Sequence, residues 1–293
     1  MKDTILLVGH GSRVPSGNLE VEKFAERWRA RHSDWDIQVC FIELAETLLD
    51  EGLARAAETA QRVTVVPLIL NAAGHVKMEI PGYIEAARAR YPEVQFLYAR
   101  HLGGSEPILR ILTRRLDQAM QAMAMPDPTT TGVILLSRGS SDRIANGDVA
   151  KMARWLWEET DHELVDIAFT GITYPRLERV VQWHVQRGMT QVVVLPYYLF
   201  SGRLIERIQQ QIARLRTQYP PICFALTDYF GFEDEIYELL DARVMAARGE
   251  TVDDLPGLME CDGCKYRSLA ATVLSEDHRP HKGHRPHHHG AQP

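Results

Sequence analysis

Short apolar runs rich in β-branched residues alternate with stretches whose apolar positions recur at helical spacing, the pattern of a parallel sheet covered by helices. Thr4 to Val8 reads as a buried strand and Leu19 to Arg31 as a helix. Ile37 to Ile42, Val63 to Leu70 and Val94 to Tyr98 read as further strands, with helices near Leu48 to Ala60 and Val76 to Arg90. Ser105-Glu106-Pro107 opens another helix that runs to about Met123, with serine as N-cap and proline in the first turn. Met125-Pro126-Asp127-Pro128-Thr129-Thr130-Thr131 then interrupts the rhythm as a proline-broken polar linker. Beyond it the alternation restarts. Val133 to Leu136, Leu164 to Phe169, Gln191 to Leu199 and Ile222 to Leu226 read as strands. Val149 to Glu159, Leu177 to Gln186, Leu204 to Tyr219 and Glu233 to Ala247 read as helices.

The two halves match in residues as well as in rhythm. A shift of 128 positions lays Leu7-Val8-Gly9-His10-Gly11-Ser12 over Leu135-Leu136-Ser137-Arg138-Gly139-Ser140, Phe41 over Phe169, and Gly74-His75 over Gly202-Arg203. Val63 to Leu68 aligns with Val192 to Tyr197 after a one-residue adjustment. Several coincidences at one offset indicate an internal duplication. The expected fold is therefore α/β: two similar lobes, each a mostly parallel four-stranded sheet flanked by helices, with a flexible C-terminal tail. The expected boundaries are 1–124 for the N-terminal lobe, 125–131 for the linker, 132–248 for the second lobe and 249–293 for the tail.

Composition narrows the function classes. The 293 residues are 45% hydrophobic and 25% charged with a formal net charge of -6, which argues against a nucleic-acid binder that relies on a basic surface. The apolar run before Gly9 is only Ile5 to Val8, too short for a signal peptide or a membrane span, so a cytoplasmic location without membrane association is expected. Four cysteines do not form a disulfide framework in a chain of this length. Cys40 and Cys223 fall in expected strands and read as core, whereas Cys261 and Cys264 form a CxxC suited to a metal, a cluster or redox chemistry.

Ligands of open parallel sheets bind beyond the carboxyl ends of the strands. His10 follows the first strand, Glu43 the second, and His75 the third after the small-residue loop Asn71-Ala72-Ala73-Gly74. Two imidazoles and a carboxylate suit Co²⁺, Fe²⁺, Ni²⁺ or Zn²⁺ with positions left open for a substrate. Taken singly, each residue also fits a capping or hydrogen-bonding role; their meeting at three strand ends favours a metal. His32, His101, His162 and His184 lack such company and read as surface residues. No GxxxxGK[ST] or GxGxxG motif is present.

Gly9-His10-Gly11-Ser12-Arg13, Phe41-Ile42-Glu43-Leu44-Ala45, and Pro67-Leu68-Ile69-Leu70 with Gly74-His75 ahead of Glu79-Ile80-Pro81 resemble the chelatases that insert cobalt or iron into sirohydrochlorin. The likeness is specific in the first half and eroded in the second. It implies an active site in the cleft between lobes, with His10, Glu43 and His75 as metal-binding and catalytic residues, and sirohydrochlorin, an acidic tetrapyrrole, as partner. A histidine of ordinary pKa near 6.5 can ligate the metal and then accept a proton when the metal departs.

The second half has lost each ligand: His10 becomes Arg138, Glu43 becomes Gly171 and His75 becomes Arg203. One metal site per chain is expected. Arg138 and Arg203 are candidates for binding substrate carboxylates; the alternative is that both pair with protein acids at the surface. The loops Ala72-Ala73-Gly74 and Phe200-Ser201-Gly202 could make room for a flat macrocycle, and Tyr197 and Tyr198 either line it or belong to the core.

In the tail, Met259 to Arg267 resembles the MxCxxC segment of longer cobaltochelatases, which that family associates with an iron-sulfur cluster. Two cysteines cannot complete a 4Fe-4S site, so Cys261 and Cys264 would share one across a homodimer; a zinc site or a redox pair are the competing readings. Six of the 12 histidines (His278, His281, His284, His287, His288, His289) form a tract suited to storing Co²⁺ or Ni²⁺. The expected activity is sirohydrochlorin cobaltochelatase in anaerobic cobalamin biosynthesis. The alternatives are a ferrochelatase for sirohaem synthesis and a non-catalytic nickel or cobalt carrier acting through the tail.

Overall fold

In the computed structural model, which describes residues 3–250, the strands and helices alternate throughout. The first half comprises β1 (Asp3–Gly9), α1 (Pro15–Arg31), β2 (Asp36–Phe41), α2 (Leu49–Thr59), β3 (Arg62–Pro67), a π-helical turn (His75–Glu79), α3 (Ile80–Arg90), β4 (Gln95–Tyr98) and α4 (Glu106–Gln121). The second comprises β5 (Thr131–Ser137), α5 (Arg143–Glu158), β6 (Leu164–Phe169), α6 (Leu177–Gln186), β7 (Gln191–Pro196), α7 (Arg203–Gln218), β8 (Cys223–Leu226) and α8 (Asp234–Ala247). Each half forms one all-parallel sheet, ordered β2-β1-β3-β4 and β6-β5-β7-β8. Among the described residues no helix is long and apolar enough to cross a membrane.

The central strands are apolar on both faces because helices cover both. Ile5, Leu6, Leu7 and Val8 of β1 have no exposed surface, and neither do Val133 to Leu136 of β5. Leu6 and Val8 face α2 and α3 in one outer core, and Ile134 and Leu136 face α6 and α7 in another. The alternate residues Ile5, Leu7, Val133 and Leu135 share a central core with α1, α4, α5 and α8. The two sheets are thus joined through four helices into one body, which lies within a single compact unit. Phe24 stacks on Tyr237 at 4.1 Å between centroids, and the buried Trp28 donates its indole N–H to Asp241 at 2.7 Å. Such fully buried aromatic side chains contribute roughly 1.5–3 kcal/mol each.

Several local expectations shift. α1 starts four residues before Leu19 because Pro15 occupies its first turn, where a missing N–H is harmless. α5 starts six residues before Val149, with the Asp142 side chain accepting from the Ile144 N–H at 2.9 Å, a cap disguised by the polar run that follows it. β5 begins at Thr131, inside the segment read as linker. Ser105 occupies the N-cap of α4, but its hydroxyl makes no capping bond. Cys223 is exposed rather than core, since it opens β8 at the sheet edge; Cys40 is buried as expected.

Three histidines read as surface residues are buried: His101, His162 and His184, at 3%, 7% and 0% exposure. His184 packs beneath Gly132 of β5 and pairs with Asp166 at 3.1 Å, while His101 lies near Arg243 of α8. Burial of these isolated polar residues depends on what the other elements place over them, which hydrophobic periodicity does not record.

Candidate metal centre

His10 stands one residue beyond β1, Glu43 two beyond β2, and His75 opens the π turn after the loop that leaves β3. In the order β2-β1-β3-β4 the winding reverses between β1 and β3, the crevice at which open α/β sheets hold ligands. His10 and His75 flank that crevice, and Glu43 reaches it from the adjoining strand. Among the described residues this is the group of three whose ligating atoms gather, all within 4.8 Å of one another. The imidazole centroids are 4.7 Å apart with ring planes at 83°, and His10 Nδ1 lies 3.7 Å from Glu43 Oε1. A first-row cation with bonds of about 2.1 Å holds ligand atoms about 3.0 to 4.2 Å apart, a spread close to the one seen here.

The loops meet because backbone bonds hold them. Glu43 N–H donates to the His10 carbonyl at 3.2 Å and Ile42 N–H to that of Gly9 at 3.0 Å. Gly11 adopts φ 94°, and a Cβ there would stand 1.6 Å from the Glu43 carbonyl oxygen, so glycine alone permits this closure. Asn18 on α1 ties the two loops: its Oδ1 accepts from Ser12 N–H and its amide donates to the Leu44 carbonyl, both at 2.8 Å. Leu44 is held at φ 56°, a conformation costing about 1–3 kcal/mol that these bonds offset.

Each imidazole is held through its Nδ1. His10 Nδ1 donates to the Gly11 carbonyl at 3.2 Å, and its Nε2 is buried without a partner. Such an orphan atom costs about 1–3 kcal/mol unless something binds it. Burial, and secondarily the nearby His75 and Arg138, lower the His10 pKa against the opposing effects of Gly11 and Glu43, so the ring stays neutral and able to ligate. His75 Nδ1 is held by Glu79 Oε2 at 2.5 Å, one helical turn on. A carboxylate behind a ligating imidazole orients the ring and raises its basicity. Glu79 appeared in the sequence only as part of a motif; the i,i+4 spacing from His75 was the available signal for its role. Side-chain exposures of 33%, 49% and 37% for His10, Glu43 and His75 leave the remaining coordination positions open to solvent.

Arg138 follows β5 as His10 follows β1, and Arg203 opens α7 as His75 opens the π turn. Both are exposed, and neither side chain makes a hydrogen bond or salt bridge among the described residues. Arg138 acts electrostatically on His10 of the first half and on Tyr198 of its own. Tyr198 is half-buried and shares a hydrogen bond of 2.7 Å with Thr170, whereas Tyr197 is a core residue at 2% exposure. The Ser201 and Gly202 loop reaches the first half, its Ser201 N–H donating to Glu20 at 2.8 Å. Cys261, Cys264 and the histidines of the tail, His278, His281, His284, His287, His288 and His289, lie outside the described residues.

A family model, CbiX, matches the chain twice, over residues 4–119 and 132–247. A sirohydrochlorin cobaltochelatase of Priestia megaterium is 37% identical over 269 residues, spanning 90% of this chain and 84% of that protein. A sirohydrochlorin ferrochelatase of the same organism is 32% identical over 256 residues, spanning 86% and 94% respectively. Among solved structures, SirB from Bacillus subtilis with Fe³⁺ superposes with a TM-score of 0.72 at 31% identity, covering 84% of this chain and 96% of that one.

Proposed function

The chain belongs to the CbiX family, and from that premise we propose that it inserts Co²⁺ into sirohydrochlorin, with His10, Glu43 and His75 as its metal site. The observation that carries this reading is the gathering of two imidazole nitrogens and a carboxylate oxygen within 4.8 Å at the switch point of the first sheet. Insertion exchanges the ligands of a cation for four ring nitrogens and releases two pyrrole protons. Three protein ligands hold the ion while leaving positions through which ring nitrogens attack; a closed set of four would retain it. As the ion departs, a freed imidazole is a base of suitable strength for one proton, and Glu43, half-exposed, offsets the cation's charge and passes protons to water. Arg138 and Arg203, whose side chains pair with no acid among the described residues, offer planar forks to the carboxylates of the macrocycle rim.

The ligand set leaves the metal open, because the Irving-Williams order separates Fe²⁺ from Co²⁺ only weakly. The cobalt reading rests on the 37% identical cobaltochelatase, together with the histidine-rich tail. The iron reading has the 32% identical ferrochelatase and the Fe³⁺ structure of SirB behind it. Purified chain mixed anaerobically with sirohydrochlorin and either ion, followed by absorption spectra, decides between them. Faster insertion of Co²⁺ is expected, and faster insertion of Fe²⁺ would replace cobalt by iron. No acceleration of either ion over the uncatalysed rate would overturn the chelatase reading.

A further inference from the structure

The π turn carries a second group that the metal site does not use. Lys77, two residues beyond His75, extends its ammonium to the carboxylate of Asp142 in the other half of the molecule. Both side chains are largely covered, at 20% and 25% exposure. The Asp142 carboxylate is itself fixed, since its other oxygen caps α5 by accepting from Ile144 N–H. Its backbone is pinned as well: Asp142 N–H donates to Ser140 Oγ at 3.0 Å, and Ser140 N–H donates to Asn146 at 2.9 Å. Asp148, on the same helix and 3% exposed, adds a second negative charge acting on Lys77.

The duplication supplies an internal control. The positions 128 residues from Lys77 and Asp142 are Ile205 and Val14, neither of them charged. The helix that opens at Arg203 is α-helical from its first residue, whereas the segment that opens at His75 begins with a π turn. Cross-half attachment occurs in both directions, for Glu20 of α1 takes the Ser201 N–H and the Tyr229 hydroxyl. An ion pair seated in the ligand-bearing turn, however, exists on one side only. Single π turns inside helices are frequent at functional sites.

We propose that Lys77 is a positioning residue: clamped by Asp142 from the lobe that has lost its ligands, it fixes the π turn so that the His75 imidazole faces His10 and Glu43. This rests on the metal-site reading above. Position matters here because ligand atoms must come to within a few tenths of an ångström of their bonding distances.

The test measures Co²⁺ binding to the tetrapyrrole-free chain, by titration of the visible ligand-field absorption less that of the His10→Ala chain so that binding by the tail cancels, beside the insertion rate. Lys77→Met and Asp142→Asn are each expected to weaken Co²⁺ binding about 10-fold, the lower end for residues that orient a ligand. Lys77→Arg and the exchange Lys77→Asp with Asp142→Lys should restore most of it, and thermal unfolding of each variant reports whether the fold survives. Unchanged Co²⁺ binding in both single variants would overturn the clamp and leave an ordinary surface ion pair. Weakened singles with no recovery in either Lys77→Arg or the exchanged pair would also overturn it. A parent chain that binds no more Co²⁺ than His10→Ala would instead refute the metal site itself, and the clamp with it.

Discussion

At the end of β1, Gly11 adopts φ 94°, Ser12 N–H donates to Asn18, and Leu44 sits at φ 56°. At the end of β5, 128 residues on, Gly139 adopts φ 83°, Ser140 N–H donates to Asn146, and Ile172 sits at φ 60°. The closing bonds repeat too: Gly171 N–H donates to the Arg138 carbonyl at 3.0 Å, as Glu43 N–H does to His10 at 3.2 Å. The loops are equivalent in backbone and opposite in chemistry. Strain at Ile172, a β-branched residue in the left-handed region, persists where arginine, glycine and arginine replace the two histidines and the glutamate, so this strain belongs to the loop architecture. What distinguishes the lobes is three side chains, the π turn and the charged pair reaching across to it.

Removing a direct ligand should break the asymmetry most completely. His10→Ala or His75→Ala is expected to slow insertion by more than the roughly 10- to 100-fold loss typical of residues that only orient ligands. The equivalent Arg138→Ala should retain turnover at saturating tetrapyrrole, and equal losses at His10 and Arg138 would refute the division of labour.

A gain of function would test the shared backbone. The combined change Arg138→His, Gly171→Glu and Arg203→His places a ligand set on the second scaffold, where a Cβ at Gly171 meets nothing closer than 3.8 Å. The bound Co²⁺ per chain, measured by equilibrium dialysis beside the parent chain with the same histidine-rich tail, should rise by one. An unchanged ratio would mean that loop geometry without the π turn and its clamp is insufficient.

A smaller effect concerns the substrate. Losing one charge-assisted bond to a carboxylate, about 1.5 kcal/mol, corresponds to roughly a tenfold rise in KM. Arg138→Ala and Arg203→Ala should each show that rise for sirohydrochlorin with Co²⁺ affinity unchanged; unaltered KM in both would remove these residues from the substrate site.

The last difference concerns stability. Burial, aided by Arg243, Arg100 and Lys77, brings the His101 pKa down to about 3, whereas its counterpart in the second lobe is Tyr229. An unfolded histidine titrates near 6.5, so below that pH the unfolded chain holds a proton that the folded chain refuses. His101 therefore removes stability as pH falls from about 6.5 toward 3, by at most about 1.4 kcal/mol per pH unit. Urea midpoints between pH 6.5 and 4.5 should fall less steeply in His101→Leu, and an identical slope would show that other groups govern acid unfolding.

The strands of both sheets were legible because each is a near-continuous apolar run between turn signals, and the duplication because related backbones keep glycine and asparagine where the turns need them. His10, Glu43 and His75 were legible for a related reason, since parallel strands deliver their following residues to one edge. The starts of α1 and α5 were not, because Pro15 and the capped Arg143 resemble turns until the chain downstream commits to a helix. The burial of His101, His162 and His184 was equally hidden, for it depends on partners distant in sequence.

By itself, then, the order of residues determined the two-lobed architecture and the identity of the ligand types, since periodicity and strand ends are local properties. Only the tertiary structure decided that each imidazole is held through Nδ1, that Glu79 stands behind His75, and that Lys77 pairs with Asp142 from the other half. Those depend on distances between side chains 65 residues apart in the case of Lys77 and Asp142, fixed when helices from both halves pack into one core.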